Sequence, residues 1–313
     1  MSEQKNRGFV TIATGHRRYF NLARNLLHSY RQFTTTPYPF AIITDRENEI
    51  TSEFDDVIVI SDPSNSYLDK LKLYRELPYD ESIFIDADSL AYGDLNAWWE
   101  IFETSGDFSL FGYAHAPNSG RGWFIPSGMQ EFSSQITFVP DFNGGVYYLR
   151  KSDTCRKVFE IANHCATHYH RYQFTGFSSP ADEPVLALGM AVQGLEPINR
   201  AELVFAPSLK KLEADISLPK AIYNGPYGQY TPRLIHWGNY YTRKSFYRFE
   251  VSKLSTLRNI PDCQTRLSYQ ILYKHRILYA FFHVYDISAL LIRIFNKVKR
   301  ILKNSSKAKR SIL

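Results

Sequence analysis

Two aspartates separated by one alanine, Asp86 and Asp88, are the residues whose type and spacing most directly indicate chemistry. They follow an apolar run in the segment "SIFIDAD" (82–88). If the strand continues through them, both carboxylates point to the same side, because strand side chains alternate between faces at every residue. Two like charges held together repel each other unless a positive charge lies between them. The pair therefore indicates either a site for a hard divalent cation or a solvated loop after a buried strand.

A pair of glycines after an asparagine marks a second segment where chemistry is expected. In "DFNGGVYYLRKSD" (141–153), Asn143, Gly144 and Gly145 stand directly before another apolar run. Glycine has no Cβ, so the backbone here could approach a ligand closely or could form a tight turn or bulge. The sequence leaves both possibilities open.

Acidic and imidazole groups appear in two later segments. Asp182 and Glu183 lie in the expected first helical turn of "SSPADEPVLALGM" (178–190), where the helix dipole alone would also favour acids. His236 lies at the end of a short apolar run in "RLIHWGNYY" (233–241). It is a potential metal ligand, or else an ordinary core or surface histidine.

The elements that must position these groups alternate along the chain. Four apolar runs predict strands, and helical patterns follow the first and the third: "GFVTIAT" (8–14), "FAIITD" (40–45), "DVIVISD" (56–62) and "SIFIDAD" (82–88). This alternation predicts an α/β fold with a mainly parallel, twisted sheet and helices on both faces. Ligands of such sheets bind beyond the carboxyl ends of the strands. Thr14, Asp45 and the aspartate pair all lie at such ends. The segment 104–139 is predicted to be a long loop region.

Composition defines the broad class of protein. The chain has 313 residues, of which 44% are apolar, with 22 tyrosines and 22 phenylalanines, as is typical of a folded globular protein. Three cysteines are too few and odd in number for a disulfide framework. The first residues contain only a short apolar run rather than a signal peptide or an anchor. We therefore expect a reducing, cytoplasmic location.

The net charge of +6 is unevenly distributed. Residues 264–313 contain 11 Lys and Arg and one acidic residue, so residues 1–263 keep 26 basic and 30 acidic residues, a net of −4. A nucleic-acid groove on the main body would need a basic face there, so no nucleic-acid partner is expected. The charge division also predicts a main domain over residues 1–263 and a basic helical tail over residues 264–313.

The tail is predicted to be amphipathic. Its apolar residues recur at the spacing of one helix face, at Ile287, Leu290, Leu291, Ile294, Phe295, Val298, Ile301 and Leu302. Basic residues fall on the opposite side, at Arg293, Lys297, Arg300 and Lys303. This pattern predicts a helix lying on an anionic membrane surface at the cytoplasmic face, or a helix docked on the protein's own core.

The order of motifs resembles that of GT-A nucleotide-sugar glycosyltransferases. It is similar in particular to glycosyltransferase family 8, which includes glycogenin and bacterial lipopolysaccharide galactosyl- and glucosyltransferases. The resemblance runs over roughly residues 8 to 245 and rests on "VTIATGHRRYF", "LDKLKLY", "IFIDADSL", "FNGGVYYL", "ADEPVLA" and "IHWGN". The Asp-x-Asp pair and the Asn-Gly-Gly-Val run are its most specific parts.

The resemblance implies a role for each matched position. Mn²⁺ or Mg²⁺ would be bound by Asp86, Asp88 and His236. The nucleotide-sugar donor would be contacted by Thr14, Tyr19 and Lys70. The sugar pocket would be lined by Asn143 and Gly144, and Asp182 would hydrogen-bond the transferred sugar.

Three positions depart from the family pattern. Glu183 stands where the family usually has glutamine, and Gly238 comes one residue early after His236. The family's diphosphate-binding lysine has no direct counterpart, and Arg243 and Lys244 are the nearby cations, with Lys244 the candidate.

The predicted function is metal-dependent transfer of a hexose from a nucleotide sugar, UDP-hexose in this family, to a glycan or lipid-linked acceptor, with retention at the anomeric carbon. Asp182 and Glu183 are the candidate catalytic residues, and Glu183 could shield or attack the anomeric centre. Three alternatives remain: a sugar-1-phosphate nucleotidyltransferase, a non-catalytic membrane-bound scaffold that binds sugar nucleotides, and a metallohydrolase using His164 and His168, which are spaced i, i+4.

Overall fold

The computed structural model describes residues 6–200, 202–205, 211–225 and 228–259. In chain order its strands are β1 (Arg7–Ala13), β2 (Phe40–Thr44), β3 (Asp56–Val59), β4 (Glu81–Ile85), β5 (Ser89–Ala91), β6 (Phe108–Ser109), β7 (Gly112–His115), β8 (Val139–Phe142), β9 (Val146–Arg150), β10 (Leu203–Phe205), β11 (Leu212–Asp215), β12 (Lys220–Gly225), β13 (Gly228–Tyr230) and β14 (Leu234–His236). Its α-helices are α1 (Arg17–Phe33), α2 (Leu73–Glu76), α3 (Ala97–Glu103), α4 (Asp153–Thr167), α5 (Asp182–Val192), α6 (Gly238–Tyr241) and α7 (Ser245–Asn259).

A six-stranded sheet with the order β3-β2-β1-β4-β9-β6 forms the centre. Strands β1 to β4 pair in parallel, whereas β9 runs antiparallel to both β4 and β6. The carboxyl ends of β1 to β4 therefore meet at one edge of the sheet. The predicted α/β fold with a mainly parallel sheet is confirmed.

Helices cover both faces of this sheet, as predicted. On one face Phe9 of β1 packs against Tyr30 of α1 and Trp99 of α3, with ring centroids 4.8 and 5.5 Å apart. The next residue, Val10, points to the opposite face and joins a core cluster that includes Val158 of α4. Burial of both faces explains why β1, β2 and β4 are almost continuously apolar, whereas the edge strand β3 is partly exposed.

The strand predicted over residues 82–88 ends earlier than expected, at Ile85. Asp86 and Asp88 lie in a turn between β4 and β5, where the backbone N–H of Asp86 donates to the carbonyl of Gly145, 2.9 Å away. The prediction that strand alternation brings the two carboxylates together was therefore wrong. The turn places them at the carboxyl edge of the sheet.

Three other predicted boundaries also shift. Thr14 and Asp45 come directly after β1 and β2, so both lie at the carboxyl edge but outside the strands. The helix predicted after the third apolar run is a 3-10 helix over Tyr67–Lys72, followed by the short α2.

A second, three-stranded sheet contains β5, the strand that follows the aspartate turn. Its order is β10-β14-β5, and the antiparallel pairing of β14 with β5 sets His236 opposite Ser89. The backbone N–H of Trp237 donates to the carbonyl of Asp88, 3.0 Å away. This register brings His236 to the Asp-x-Asp pair.

The chain forms two compact units, Met1–Gly238 and a second unit beginning at Asn239. In the second unit, Lys253 and Glu250 form a fully buried ion pair, with Nζ 2.7 Å from Oε1. The amphipathic helix expected within residues 264–313 lies outside the described residues, so the boundary at residue 263 stays a prediction. No helix in the described part of the chain is both long and apolar enough to cross a membrane.

Candidate active site

One group of potential metal ligands, called the metal group below, consists of Asp86, Asp88 and His236. One ligand atom from each residue lies within 4.8 Å of the others. Nε2 of His236 is 2.9 Å from Oδ1 of Asp88 and 3.5 Å from Oδ2 of Asp86. Two carboxylates and an imidazole suit a divalent cation such as Mn²⁺ or Mg²⁺. The structure thus brings together the three residues for which the sequence indicated a metal role.

The buried carboxylates of this group favour a bound cation. Burial and the charge of Asp88 raise the pKa of Asp86, although the charges of Lys70 and His236 act in the opposite direction. Oδ1 of Asp88 is buried and accepts no hydrogen bond of good geometry, despite its 2.9 Å approach to Nε2 of His236. A buried oxygen without a hydrogen-bond donor is costly, and a bound cation would satisfy it. The residues present therefore fit a divalent metal ion.

Asn143 orients the imidazole of His236. Its Oδ1 lies 2.5 Å from Nδ1 of His236. If Nδ1 carries the proton and donates it to this oxygen, Nε2 keeps its lone pair toward the two aspartates, as metal coordination requires. Asn143 was predicted to line the sugar pocket, and in the structure it contacts His236, a potential metal ligand.

Lys70 is a buried cation between two carboxylates. Its Nζ lies 2.9 Å from Oδ2 of Asp86 and 3.1 Å from Oδ2 of Asp182, and it donates to the carbonyl oxygen of Gly144 at 3.0 Å. Burial lowers the pKa of Lys70, but the charges of Asp182 and Asp86 outweigh it and raise the pKa above its ordinary value. Lys70 therefore stays charged and joins the Asp-x-Asp turn to the start of α5.

The two acidic residues at the start of α5 have different surroundings. Asp182 is only 3% exposed, and its Oδ2 also accepts a 2.6 Å hydrogen bond from the hydroxyl of Tyr147. Glu183 is partly exposed, and its Oε1 accepts from the backbone N–H of Gly144 at 2.6 Å. Burial, followed by the charge of Asp182, raises the pKa of Glu183 to about 7, while the charges of Lys70 and His236 lower it. The catalytic roles of both residues stay predictions.

The glycine pair allows side chains of the site to pack closely against the backbone. A Cβ on Gly144 would lie 2.5 Å from the hydroxyl of Tyr147 and 2.9 Å from Oδ2 of Asp182. A Cβ on Gly145 would lie 2.7 Å from Nδ1 of His236. Real Cβ atoms do not approach other atoms so closely. Both positions therefore need a residue without a Cβ, so that side chains of the site can pack closely against the backbone.

Changing Gly145 to alanine is expected to weaken Mn²⁺ affinity by about 10- to 100-fold, because the new Cβ must displace His236 or its partner Asn143, and disturbing such a partner has this effect in other metal sites. The dissociation constant would be measured by electron paramagnetic resonance titration. Gly93→Ala is the matched control, since its Cβ would make only an ordinary 3.4 Å contact with Arg233. Equal Mn²⁺ affinity in both variants would contradict the packing explanation.

The candidate nucleotide loop is tied to the segment that carries Lys70. The hydroxyl of Thr14 donates to Oδ2 of Asp69 at 2.9 Å, and Asp69 also accepts from the backbone N–H groups of Ser64 and Asn65 at 2.7 and 2.9 Å. Asp69 was missed at the level of sequence, although it directly precedes Lys70. Its place between two loops at the carboxyl edge identifies it as a positioning residue for this loop.

Two aromatic side chains stand at the same edge. Tyr19, predicted to contact the nucleotide, lies on α1 and is 37% exposed. Tyr67, which the sequence did not single out, is 58% exposed. Burial raises the pKa of Tyr67, and the neighbouring Tyr19 and the charges of Asp86 and Asp88 raise it further. The charge of Lys70 lowers this pKa, and Lys70, the partner of Asp86, lies on the same 3-10 helix as Tyr67.

Two other sets of candidates make contacts of their own. In the second unit, Nζ of Lys244 lies 4.6 Å from the ring centroid of Tyr240, and its diphosphate role stays a prediction. The rings of His164 and His168 are 4.7 Å apart, and His164 also lies 3.7 Å from Glu131. Across the described residues, only the Asp-Asp-His group brings three potential metal ligands within 4.8 Å, so the metallohydrolase alternative gains no support.

Comparisons with known proteins give likenesses at the level of structure. No protein-family model matches the chain, and no curated protein sequence matches it. The chain is similar to the apo structure of the WbbM bifunctional glycosyltransferase, with 11% identity, a TM-score of 0.47, and 76% of this chain and 47% of that chain covered. It therefore spans about half the length of that protein. It is also similar to the galactosyltransferase LgtC in complex with donor and acceptor sugar analogs, with 12% identity, a TM-score of 0.47, and 79% and 94% of the two chains covered.

Proposed function

We propose that the protein is a metal-dependent glycosyltransferase that moves a hexose from a nucleotide sugar, a UDP-hexose, to a glycan or lipid-linked acceptor with retention at the anomeric carbon. The observation that carries this proposal is the convergence of Asp86, Asp88 and His236 beside the buried Lys70, at the carboxyl edge of a parallel sheet. Ligands bind at this edge in open α/β sheets. The order of motifs, which resembles that of nucleotide-sugar transferases, supports the same reaction.

The chemical demand of the reaction matches these residues. A departing nucleoside diphosphate gathers negative charge, which a bound divalent cation stabilises as a Lewis acid. Asp86, Asp88 and His236 would hold that cation, and Asn143 would keep His236 in the binding tautomer. Lys70 fixes Asp86 from the side of α5, which limits the freedom of the ligand set. Such preorganised charges are the main source of stabilisation in many enzymes.

The remaining candidate residues would contact the donor. Thr14 and Tyr19 would contact the nucleotide from the loop and helix after β1, and Lys244 would meet the diphosphate. Gly144 would line the sugar pocket beside Glu183, whose carboxylate would face the anomeric centre.

A screen of nucleotide sugars tests the function. The purified protein would be incubated with UDP-hexoses, with Mn²⁺ or with EDTA, while nucleotide release and the thermal midpoint of unfolding are followed. We expect one donor both to raise the midpoint and to be turned over only with metal. Binding without turnover of any donor would identify a non-catalytic sugar-nucleotide-binding protein. Turnover of a nucleoside triphosphate with a sugar-1-phosphate would identify a nucleotidyltransferase.

Changing Glu183 to glutamine is expected to lower kcat by about 100-fold or more with little change in the donor KM, if the carboxylate acts only in the transition state. Because the pKa of Glu183 is raised to about 7, the wild-type kcat should also fall as the pH drops below about 7. The variant should lack this limb of the pH profile. An unchanged kcat would show that Glu183 acts only through its hydrogen bond to Gly144.

The same variant changes stability in a defined pH interval. Glu183 holds its proton more tightly in the folded protein than at its ordinary pKa of 4.5, so unfolding releases a proton between pH 4.5 and about 7. The free energy of unfolding should therefore fall as the pH rises through this interval, by about 3 kcal/mol in total. Urea unfolding of wild type and Glu183→Gln should show this difference between the two curves.

We further propose that the tail over residues 264–313 holds the enzyme on the cytoplasmic face of an anionic membrane. Each basic residue near such a surface contributes about 1 kcal/mol, and the tail has 11 Lys and Arg with one acidic residue. Truncation before Ile287 is expected to abolish salt-sensitive co-sedimentation with anionic vesicles and to leave the catalytic domain folded. If co-sedimentation of the full-length protein does not depend on lipid charge, or if the truncated protein unfolds, the tail is structural.

A further inference from the structure

An open pocket of about 440 Å³ lies beside the loop that carries Asn143. None of the residues of the metal group lines this pocket. Its lining residues are Arg121, Gly122, Trp123, Asp141, Thr175 and Gly176. Its volume is within the range of small-ligand sites. Most of it is formed by the region that the sequence predicted as a long loop and by the segment just before α5.

Hydrogen bonds and tight packing hold the pocket in shape. The hydroxyl of Thr175 donates to the carbonyl of Gly122 at 2.6 Å, and the indole N–H of Trp123 donates to the carbonyl of Phe142 at 3.0 Å. Gly176 has a φ of +81°, and a Cβ there would lie 2.5 Å from the indole ring of Trp123. The ring of Trp123 is therefore fixed, and it is anchored to the residue just before Asn143.

A row of aromatic rings leads from this pocket toward the metal group. Trp123 stacks on Phe177 with ring centroids 5.6 Å apart, and Phe177 meets Tyr67 at 6.4 Å. Tyr67 is largely exposed and lies on the same 3-10 helix, Tyr67–Lys72, as Lys70, whose Nζ is 2.9 Å from Oδ2 of Asp86. The pocket and the candidate site are thus joined by an aromatic surface.

The polar groups of the pocket suit hydroxyl recognition. The carboxylate of Asp141 is 45% exposed and lies 3.2 Å from Nε2 of His115, so it retains capacity to accept further hydrogen bonds. Arg121 is exposed and lines the pocket, where its guanidinium can donate to hydroxyl oxygens. An aromatic wall with a few placed polar groups is the usual composition of a small-molecule site.

We propose that this pocket and the aromatic row bind the acceptor glycan, with one sugar ring against Trp123 and its hydroxyl groups bonded to Asp141 and Arg121. The ligand class is a saccharide, because a sugar ring combines an apolar C–H face with a rim of hydroxyl donors and acceptors. Phe177 and Tyr67 guide the chain of the acceptor toward the metal group. This assignment rests on the proposed function, which requires an acceptor beside the donor.

Direct binding tests the pocket without any turnover. Saturation-transfer NMR would be recorded for the full-length protein with Mn²⁺ and UDP, against a panel of methyl glycosides and short oligosaccharides. We expect at least one glycan to bind, and its affinity to fall about tenfold or more in Asp141→Asn and in Arg121→Ala, because each loses a charge-assisted hydrogen bond. Asp153→Asn, an exposed carboxyl group on α4 outside the pocket, should bind the glycan as the wild type does.

The outcomes separate the two proposals. A wild-type protein that binds no glycan of the panel, or pocket variants that keep the wild-type affinity, would overturn the acceptor site even if donor turnover depends on metal. Glycan binding that is lost in the pocket variants would support the site even if no donor is turned over, and the failure would then lie with the proposed reaction. Where transfer is measurable, the KM for the acceptor should rise in both pocket variants far more than the KM for the donor.

Discussion

Replacing Asp88 with asparagine is expected to lower metal-dependent sugar transfer by about 100- to 10,000-fold, because a metal ion supplies several kcal/mol of transition-state stabilisation and each 1.4 kcal/mol is a factor of ten. The substitution keeps the size of the side chain and removes the charge that faces Nε2 of His236. Asp86→Asn should have a similar effect. Turnover with Mn²⁺ and the Mn²⁺ dissociation constant would be measured together, so that loss of rate can be attributed to loss of metal.

Asp80→Asn is the matched control for this experiment. Asp80 is an exposed aspartate immediately before β4, at the opposite end of the strand that leads into Asp86. The control should keep wild-type turnover, and thermal unfolding should show that all three variants are folded. Near-normal rates and Mn²⁺ affinity in both Asp86→Asn and Asp88→Asn would end the metal-site interpretation.

Replacing Lys70 with methionine is expected to destabilise the protein by about 3–5 kcal/mol and to abolish transfer. Removing one member of a buried ion pair leaves its partner charge unpaired, which is strongly destabilising. Here the ammonium group lies within about 3 Å of Asp86 and of Asp182, so both carboxylates lose their cation. Urea unfolding with and without Mn²⁺ would measure the effect, and Mn²⁺ should restore part of the stability by neutralising Asp86.

A double variant separates the charge effect from the change in shape. Combining Lys70→Met with Asp182→Asn removes the cation together with one of the two carboxylates it serves. We expect the double variant to be more stable than the sum of the two single changes predicts, with a coupling energy of about 1–3 kcal/mol. Additive effects would show that Lys70 and Asp182 contribute independently, and the ion-pair explanation would then be wrong.

Local pattern was sufficient for the four parallel strands and for many polar residues of the site, but not for β6, which lies in the segment predicted to be a long loop. The apolar runs that became β1, β2 and β4 were recognisable because a parallel strand buried on both faces must be almost wholly apolar. The run that became β3 was also recognisable, although this edge strand is partly exposed. The aspartate pair, the glycine pair and the acids at the start of α5 stood out for the same local reason. Each places a polar or Cβ-less residue at the border of a buried element.

Strand ends and side-chain roles were decided by tertiary contacts. The hydrogen bond from Asp86 to Gly145 follows the end of β4 at Ile85, so a turn rather than strand alternation presents the two carboxylates. Lys70, expected on the donor, is engaged with Asp86 and Asp182. Asp69 and Tyr67 were not singled out at all, because an aspartate or a tyrosine in a short polar segment has no periodic signal that separates it from an ordinary loop residue.

The sequence by itself therefore determined which segments are buried and which residues could bind a cation, since burial and charge are written into local patterns of residue types. Only the tertiary structure decided which of those residues meet. His236 and Asn143 are 93 positions apart, and they are brought together because β14 pairs with β5 in the register that sets His236 opposite Ser89. Register between distant strands depends on the packing of the whole sheet, and no local pattern of apolar and polar residues specifies it.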